Sequence, residues 1–471
     1  MKPHKVWGKK ISAMENNQGT FSKSLFAAFY QLTMAQAYWQ NDRTGQSTFS
    51  LFIRRFPSTR GYMVFAGLED ILDHLQNFGF NSTDIDYLTS LNHFEKEFLD
   101  YLSELKFTGQ VRSIQEGTVF FPNEPVLEIT APLIEAQVIE NYLLNRVNLE
   151  TVLATKAARS IYAAKGRTIS EVGSRRSHGI DSADSLVRIG KIVGIQSTGN
   201  VHGAAKHSQK ISGTMAHSFI TSFDSELEAF RAFARSFPDT SVFLVDTFDT
   251  EQGTQNAIKV AKEMLENGHS LNGVRLDSGD FGLISKEVRK MLDDAGLHEV
   301  KIIVSGDIDE YMINKLVESN APIDSFGIGT KMATSSDSPA IDCVYKLVEY
   351  ENKPVMKLSK GKETLAGRKQ VFRFSQDNGA YDKDTLALDD EDKTQYFGSH
   401  PLLETVLENG HLTRPHPTLE NLHQHFLNEF SAITHAYKSL DTPEIYPVEQ
   451  STALVKLQED TLNQIENIEA I

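Results

Sequence analysis

Between residues 168 and 332 a short apolar run recurs seven times, and each time it ends in small or polar residues. The units are 168–176, 192–199, 213–218, 242–247, 273–280, 301–307 and 325–330. Stretches with apolar residues at helical spacing separate several of them, at 225–235, 255–267, 283–295 and 308–318. Strands alternating with helices build a parallel sheet, because each helix carries the chain back to the starting edge. Seven units suit a closed or nearly closed barrel, whose chemistry lies at the carboxyl ends of the strands, where these polar tips fall.

The flanks read differently. Before the repeats come a helix over 25–39 and short strands at 48–54, 110–113, 119–121 and 126–130, separated by turn signals such as Pro122-Asn-Glu-Pro125. Two helices follow, over 133–148 and 149–165, the second stopped by Gly166. After the repeats, 344–350 and 354–358 form a hairpin around Glu351, Asn352 and Lys353, with a strand at 370–374 and a helix at 423–437. The expected division is an N-terminal α+β domain over 1–150, the barrel with the active site over 151–340, and a tail over 341–471. The tail either completes the first domain or forms a small α+β cap.

A chain of 471 residues has room for two or three domains. No segment approaches the roughly 18 consecutive apolar residues of a membrane span. The N-terminus is basic (Lys2, His4, Lys5, Lys9, Lys10) but lacks a following apolar run of signal-peptide length, so no export is expected. One cysteine, Cys343, excludes an intrachain disulfide or a cysteine-cluster metal site and points to a reducing, cytoplasmic compartment. A net charge of −16 argues against a nucleic-acid or membrane-surface binder, so any anionic ligand must meet locally gathered cations.

Such cations stand at the strand tips: Arg175 and Arg176, Arg275 between Val274 and Leu276, and Lys331. A guanidinium within an apolar strand needs a partner, and either a substrate carboxylate or a salt bridge to Asp246 or Asp277 supplies one. Gly327-Ile-Gly329-Thr330, with Ser305 and Gly306 one unit earlier, is either a phosphate cradle of backbone N–H groups or a tight turn. Asp277 and Asp280 are candidates for Mg²⁺ or sugar hydroxyls, while an Asx turn with Asp280 as helix N-cap explains them equally well. His217, flanked by Gly213, Thr214 and Ser218, has space around an imidazole nucleophile, with Glu171 or Asp246 as candidates to orient it.

Taken together, Tyr30-Gln-Leu-Thr-Met-Ala-Gln-Ala-Tyr38, Arg60-Gly-Tyr-Met-Val-Phe-Ala-Gly-Leu-Glu69, Glu116-Gly-Thr-Val-Phe-Phe-Pro-Asn-Glu-Pro125, Glu171-Val-Gly-Ser-Arg-Arg176, Gly213-Thr-Met-Ala-His-Ser218, Val274-Arg-Leu-Asp-Ser-Gly-Asp280 and Phe326-Gly-Ile-Gly-Thr330 resemble the nicotinate phosphoribosyltransferase family over most of the chain. The resemblance implies a type II phosphoribosyltransferase fold: an irregular parallel α/β barrel beside an N-terminal α/β sandwich, in a head-to-tail homodimer with shared active sites. It implies that His217 is phosphorylated by ATP, a co-substrate, and that Tyr30, Arg275 and Thr214 contact nicotinate. Arg175 and Asp277 are further substrate-binding candidates, and Thr330 with its glycines is expected to hold the 5′-phosphate.

The implied reaction joins nicotinate to 5-phosphoribosyl 1-diphosphate with Mg²⁺, giving nicotinate mononucleotide and pyrophosphate, the first step of NAD salvage from nicotinate. Arg54 to Arg60 are expected to reach the neighbouring subunit's pocket. The rival readings are a nicotinamide phosphoribosyltransferase and a non-catalytic nucleotide-binding relative. Residues 195–200 depart from the family pattern by lacking an acidic loop, and Ala366 replaces a common proline.

Overall fold

The computed structural model describes residues 19–469 apart from 360 and 363, so the basic N-terminal stretch lies outside the described residues. Six strands make the parallel sheet: β1 (Thr168–Glu171), β2 (Ser197–Thr198), β3 (Val242–Leu244), β4 (Gly273–Leu276), β5 (Lys301–Ser305) and β6 (Ser325–Ile328). Their spatial order is β2-β1-β6-β5-β4-β3, with every ladder parallel. Val274, Leu276, Ile302, Val304, Phe326 and Ile328 are fully buried in the core. The alternate positions Arg275, Ile303, Ser305, Ser325 and Gly327 line an internal cavity instead. The twofold period of a strand thus separates a greasy outer face from a polar inner one.

The crossover helices fall where the sequence places them: Glu226–Ser236, Thr250–Glu266, Phe281–Asp294 and Glu310–Glu318. Each begins at a Ser or Asp (Ser225, Asp249, Asp280, Asp309) whose side chain accepts from a backbone N–H of the first turn.

The unit at 213–218 is not a strand. Gly213, Thr214 and Ala216 are small and only Met215 is buried, so the segment has no apolar face to press between sheet and helices. It runs irregularly from edge strand β2 toward β4: Ser212 N donates to Thr198 O at 2.9 Å, and Met215 O accepts from Arg275 of β4 at 2.6 Å. The unit at 192–199 begins with the last two residues of helix Ile180–Val193 and, after a turn, keeps only the two-residue strand β2.

In the flanking antiparallel sheet, Gln46–Ile53 pairs with Pro125–Pro132 on one side and Cys343–Tyr350 on the other. Glu404–Glu408 pairs with Gln110–Ser113 in the same sheet, so strands from both ends of the chain share it. The helices expected over 133–148 and 149–165 are instead Leu133–Val138 and the 25-residue Glu140–Ala164, since no breaker stands near residue 148. That long helix buries Leu143 and Val147 in one core and Ala157 and Ala158 in the other. Lys156 and Arg159 on it meet Glu310 at 2.5 and 3.1 Å. Arg60, expected to reach outward, is buried in the same cluster and meets Asp337 at 2.6 Å.

Candidate active site

A cavity of about 550 Å³ opens at the carboxyl ends of the strands. His217, Arg175, Thr214, Arg275, Asp277, Ser305, Gly306, Gly327, Gly329 and Thr330 all line it. Tyr30 and Asp280 do not. Tyr30, 52% exposed on the flanking domain, donates its hydroxyl to Glu140 at 3.1 Å. Asp280 is the N-cap of the helix after β4, accepting from Gly282 and Leu283 N–H, which is the structural alternative weighed for it.

Arg275 reaches from β4 across the cavity wall. Its Nη2 donates to Met215 O at 2.6 Å, and its Nη1 lies 3.2 Å from Ser305 Oγ and 3.3 Å from Asp277 Oδ1. Its buried Nε has no partner among the described residues. Burial pushes the guanidinium pKa down, with Asp277 and Asp246 opposing. Ser305, expected at a phosphate, is drawn into this bridge and donates to Asp277.

His217 sits not at a strand end but at the first position of the short helix His217–Thr221. Its Nδ1 lies 3.1 Å from Thr247 Oγ1, and its Nε2 lies 3.8 Å from Asp277 Oδ2. Asp277 is therefore the carboxylate facing the imidazole, in place of Glu171 or Asp246. Asp246 accepts from Asp277 N at 2.9 Å and Ser278 Oγ at 2.7 Å, while Glu171 is buried and accepts from Thr198 Oγ1 and Gly173 N. Burial raises the Glu171 pKa in spite of those bonds. Thr247 ends the unit at 242–247, and its strand-tip position is the signal that could have paired it with His217.

Glycine is required where loops approach. Gly306 has φ +93°, and a Cβ there would stand 1.9 Å from Asp277 O. A Cβ on Gly173 would stand 2.6 Å from Gly329 O. These contacts bring the tips of β1, β4, β5 and β6 together around one opening. Lys331, beside the glycine tip, is held by Asp309 at 3.3 Å and Asp307 at 3.6 Å.

Three family models match the chain in succession: the nicotinate phosphoribosyltransferase N-terminal domain over residues 25–148, the nicotinate phosphoribosyltransferase family over 168–394, and its C-terminal domain over 393–458. The chain belongs to the nicotinate phosphoribosyltransferase family. A nicotinate phosphoribosyltransferase of Mycobacterium tuberculosis is 42% identical over 434 residues, covering 92% of each chain. One from Bacillus subtilis is 40% identical over 460 residues, covering 91% of this chain and 93% of its own. The crystal structure of human nicotinic acid phosphoribosyltransferase superposes with a TM-score of 0.83 at 27% identity, covering 94% of this chain and 100% of the human one. A mixed α/β fold with a parallel sheet is thus common to the chain and this family member.

Proposed function

We propose that the chain is an ATP-assisted nicotinate phosphoribosyltransferase, joining the pyridine nitrogen of nicotinate to C1 of 5-phosphoribosyl 1-diphosphate with release of pyrophosphate. The observation that carries the reading is that one carboxylate, Asp277, faces His217 with one oxygen and Arg275 with the other inside a single cavity. Arg275, which lines the cavity, supplies the positive charge for the nicotinate carboxylate. The backbone at Gly327, Gly329 and Thr330 suits the 5′-phosphate, with Arg175 adding positive charge. His217 takes the γ-phosphoryl group of ATP at its unprotonated nitrogen, and hydrolysis of that phosphoimidazole drives an otherwise poorly favourable transfer. Much of the rate comes from holding the reacting atoms in line and from fixed charges around the leaving group.

Mg²⁺ belongs to this reading. Among the described residues no group of three or more His, Cys, Asp or Glu side chains could hold a metal. Mg²⁺ favours one or two carboxylates with substrate phosphates and water over a protein cage, and Asp277 is a carboxylate that lines the cavity. Asp277 would hold it, and the ion would offset charge on departing pyrophosphate.

We read the six strands and segment 211–216 as an irregular barrel, residues 1–150 as the sandwich domain, and 341–471 as completing it. A second copy of the chain, arranged head to tail, would bring Tyr30 and Arg55 to the cavity; both are exposed and neither lines the cavity of its own chain. We place the enzyme in the cytoplasm. A turnover assay with nicotinate, the ribosyl donor and Mg²⁺, with and without ATP, tests the function: mononucleotide formation stimulated by ATP is expected, and absence of product in both arms overturns it.

A further inference from the structure

At one level of the cavity the wall is a belt of small polar residues. Ser197 Oγ donates to Ser212 Oγ at 2.9 Å, and Ser170 Oγ lies 2.8 Å from Ser197 Oγ. Ser170 is the register partner of Gly327, which is the register partner of Ser305. Ser305 touches Arg275, and Arg275 returns to Met215, three residues from Ser212.

The serines have a direction. A hydroxyl has one proton, and Ser197 commits its own to Ser212. Ser197 therefore accepts from Ser170, and the proton of Ser212 has no acceptor among the hydrogen bonds of the described residues. Ser197 is buried, at 4% exposure, which shields the chain from reorientation by solvent. Ser212 itself lines the cavity. Ser212 therefore lines the same cavity as Arg275 with a hydroxyl proton left to give a ligand, so both residues can act as donors there.

We infer that Ser212 is a specificity-determining residue: the relay from Ser170 through Ser197 fixes it as a donor to one oxygen of the pyridine carboxylate, while Arg275 takes the other. This rests on the functional reading above. A carboxylate carries only acceptors and satisfies both donors. The amide of nicotinamide has an NH₂ group in place of one oxygen, so either Arg275 faces a donor or the Ser212 hydroxyl must turn its proton away and accept with its remaining lone pair, and losing the bond to a charged oxygen discriminates against the amide. Ser197 acts through Ser212 and is a positioning residue.

The test uses the full-length enzyme and measures kcat and KM for nicotinate together with the inhibition constant of nicotinamide. Ser212→Ala is expected to raise KM for nicotinate about 10- to 100-fold, the range for losing a hydrogen bond to a charged group, with kcat changed less than about threefold. The nicotinamide inhibition constant is expected to hold or tighten. Ser197→Ala is expected to move the same ratio by a smaller factor, because Ser212 keeps its hydroxyl but loses its fixed direction. Should Ser212→Ala fail to fold, the Ser197→Ala ratio decides. Equal weakening of both pyridines, or an unchanged ratio, overturns the inference. A wild-type enzyme inert toward nicotinate overturns the functional reading itself, and this inference with it.

Discussion

His217 Nε2 lies 3.8 Å from Asp277 Oδ2, and the other oxygen of that carboxylate lies 3.3 Å from Arg275 Nη1. A phosphoryl group on the imidazole adds negative charge and alters what the ring offers Asp277. Any shift of Asp277 is felt by Arg275, which in the proposed reaction holds the pyridine carboxylate. In the proposed reaction the carboxylate thus links the phosphorylated imidazole to the substrate-binding guanidinium.

Asp277→Asn keeps the shape and removes the charge. Both ends of the link weaken: the imidazole loses its anionic neighbour and Arg275 loses its counter-charge inside a partly buried wall. Turnover of nicotinate is expected to fall on the order of 10²-fold, in line with loss of a group that orients an acid–base partner. Labelling of the protein by γ-labelled ATP is expected to fall in parallel. Steady-state kinetics and counting of acid-labile label check both.

Gly306→Ala tests the packing of the strand tips. A methyl group 1.9 Å from Asp277 O cannot be accommodated, and φ of +93° is itself unfavourable for alanine. Loss of roughly 2–4 kcal/mol of stability is expected. Urea unfolding measures it, and turnover is expected to fall as well because relief of the clash displaces the backbone that carries Asp277.

Much of this site was legible because strand tips are local features. An apolar run specifies a strand and its end specifies a tip, which places Arg275, Gly327 and Gly329 near one another; His217 joins them in the cavity from a segment that is not a strand. The partner of His217 was not legible. Asp246 and Asp277 both end apolar strands and look alike in sequence; their difference comes from the packing of β3 against β4, which engages Asp246 with Asp277 N and Ser278 Oγ. The relay of Ser170, Ser197 and Ser212 is likewise invisible, since its members are brought together only by the pairing of β1 with β2 and the return of segment 211–216. Arg60 misled for a related reason: its charge suggested a surface role, and only the three-dimensional fold reveals Asp337 beside it.

Asp337 sets an acid-dependent part of the stability. Burial opposes its ionisation, yet Lys156 and Arg60, at 2.7 and 2.6 Å, hold its pKa down from 3.8 to about 2. A carboxylate depressed in the folded state stabilises above its unfolded pKa, and that contribution is lost as pH falls through the folded value. With a discount for partial exposure, Asp337→Asn is expected to lose roughly 1–2 kcal/mol at pH 7. The gap between wild type and variant is expected to narrow as pH falls from about 4 toward 2. Denaturant midpoints at several pH values check the sign.

The two nitrogens of His217 are distinguished by their neighbours. Asp277 Oδ2, 3.8 Å from Nε2, favours the proton there electrostatically, and in that tautomer Nδ1 keeps the lone pair and accepts from Thr247 Oγ1, 3.1 Å away. Nδ1 is then the nitrogen expected to carry the phosphoryl group, and the Thr247 hydroxyl both aims that nitrogen and must yield to the incoming oxygens. Thr247→Val keeps the side-chain shape without the hydroxyl, leaving the ring freer to turn. Label incorporation from γ-labelled ATP is expected to slow about tenfold, comparable to loss of one modest hydrogen bond. Phosphorus NMR of the labelled His217 peptide distinguishes the two isomers, and a phosphate on Nε2 would mean that Asp277 does not hold the ring in the orientation found here.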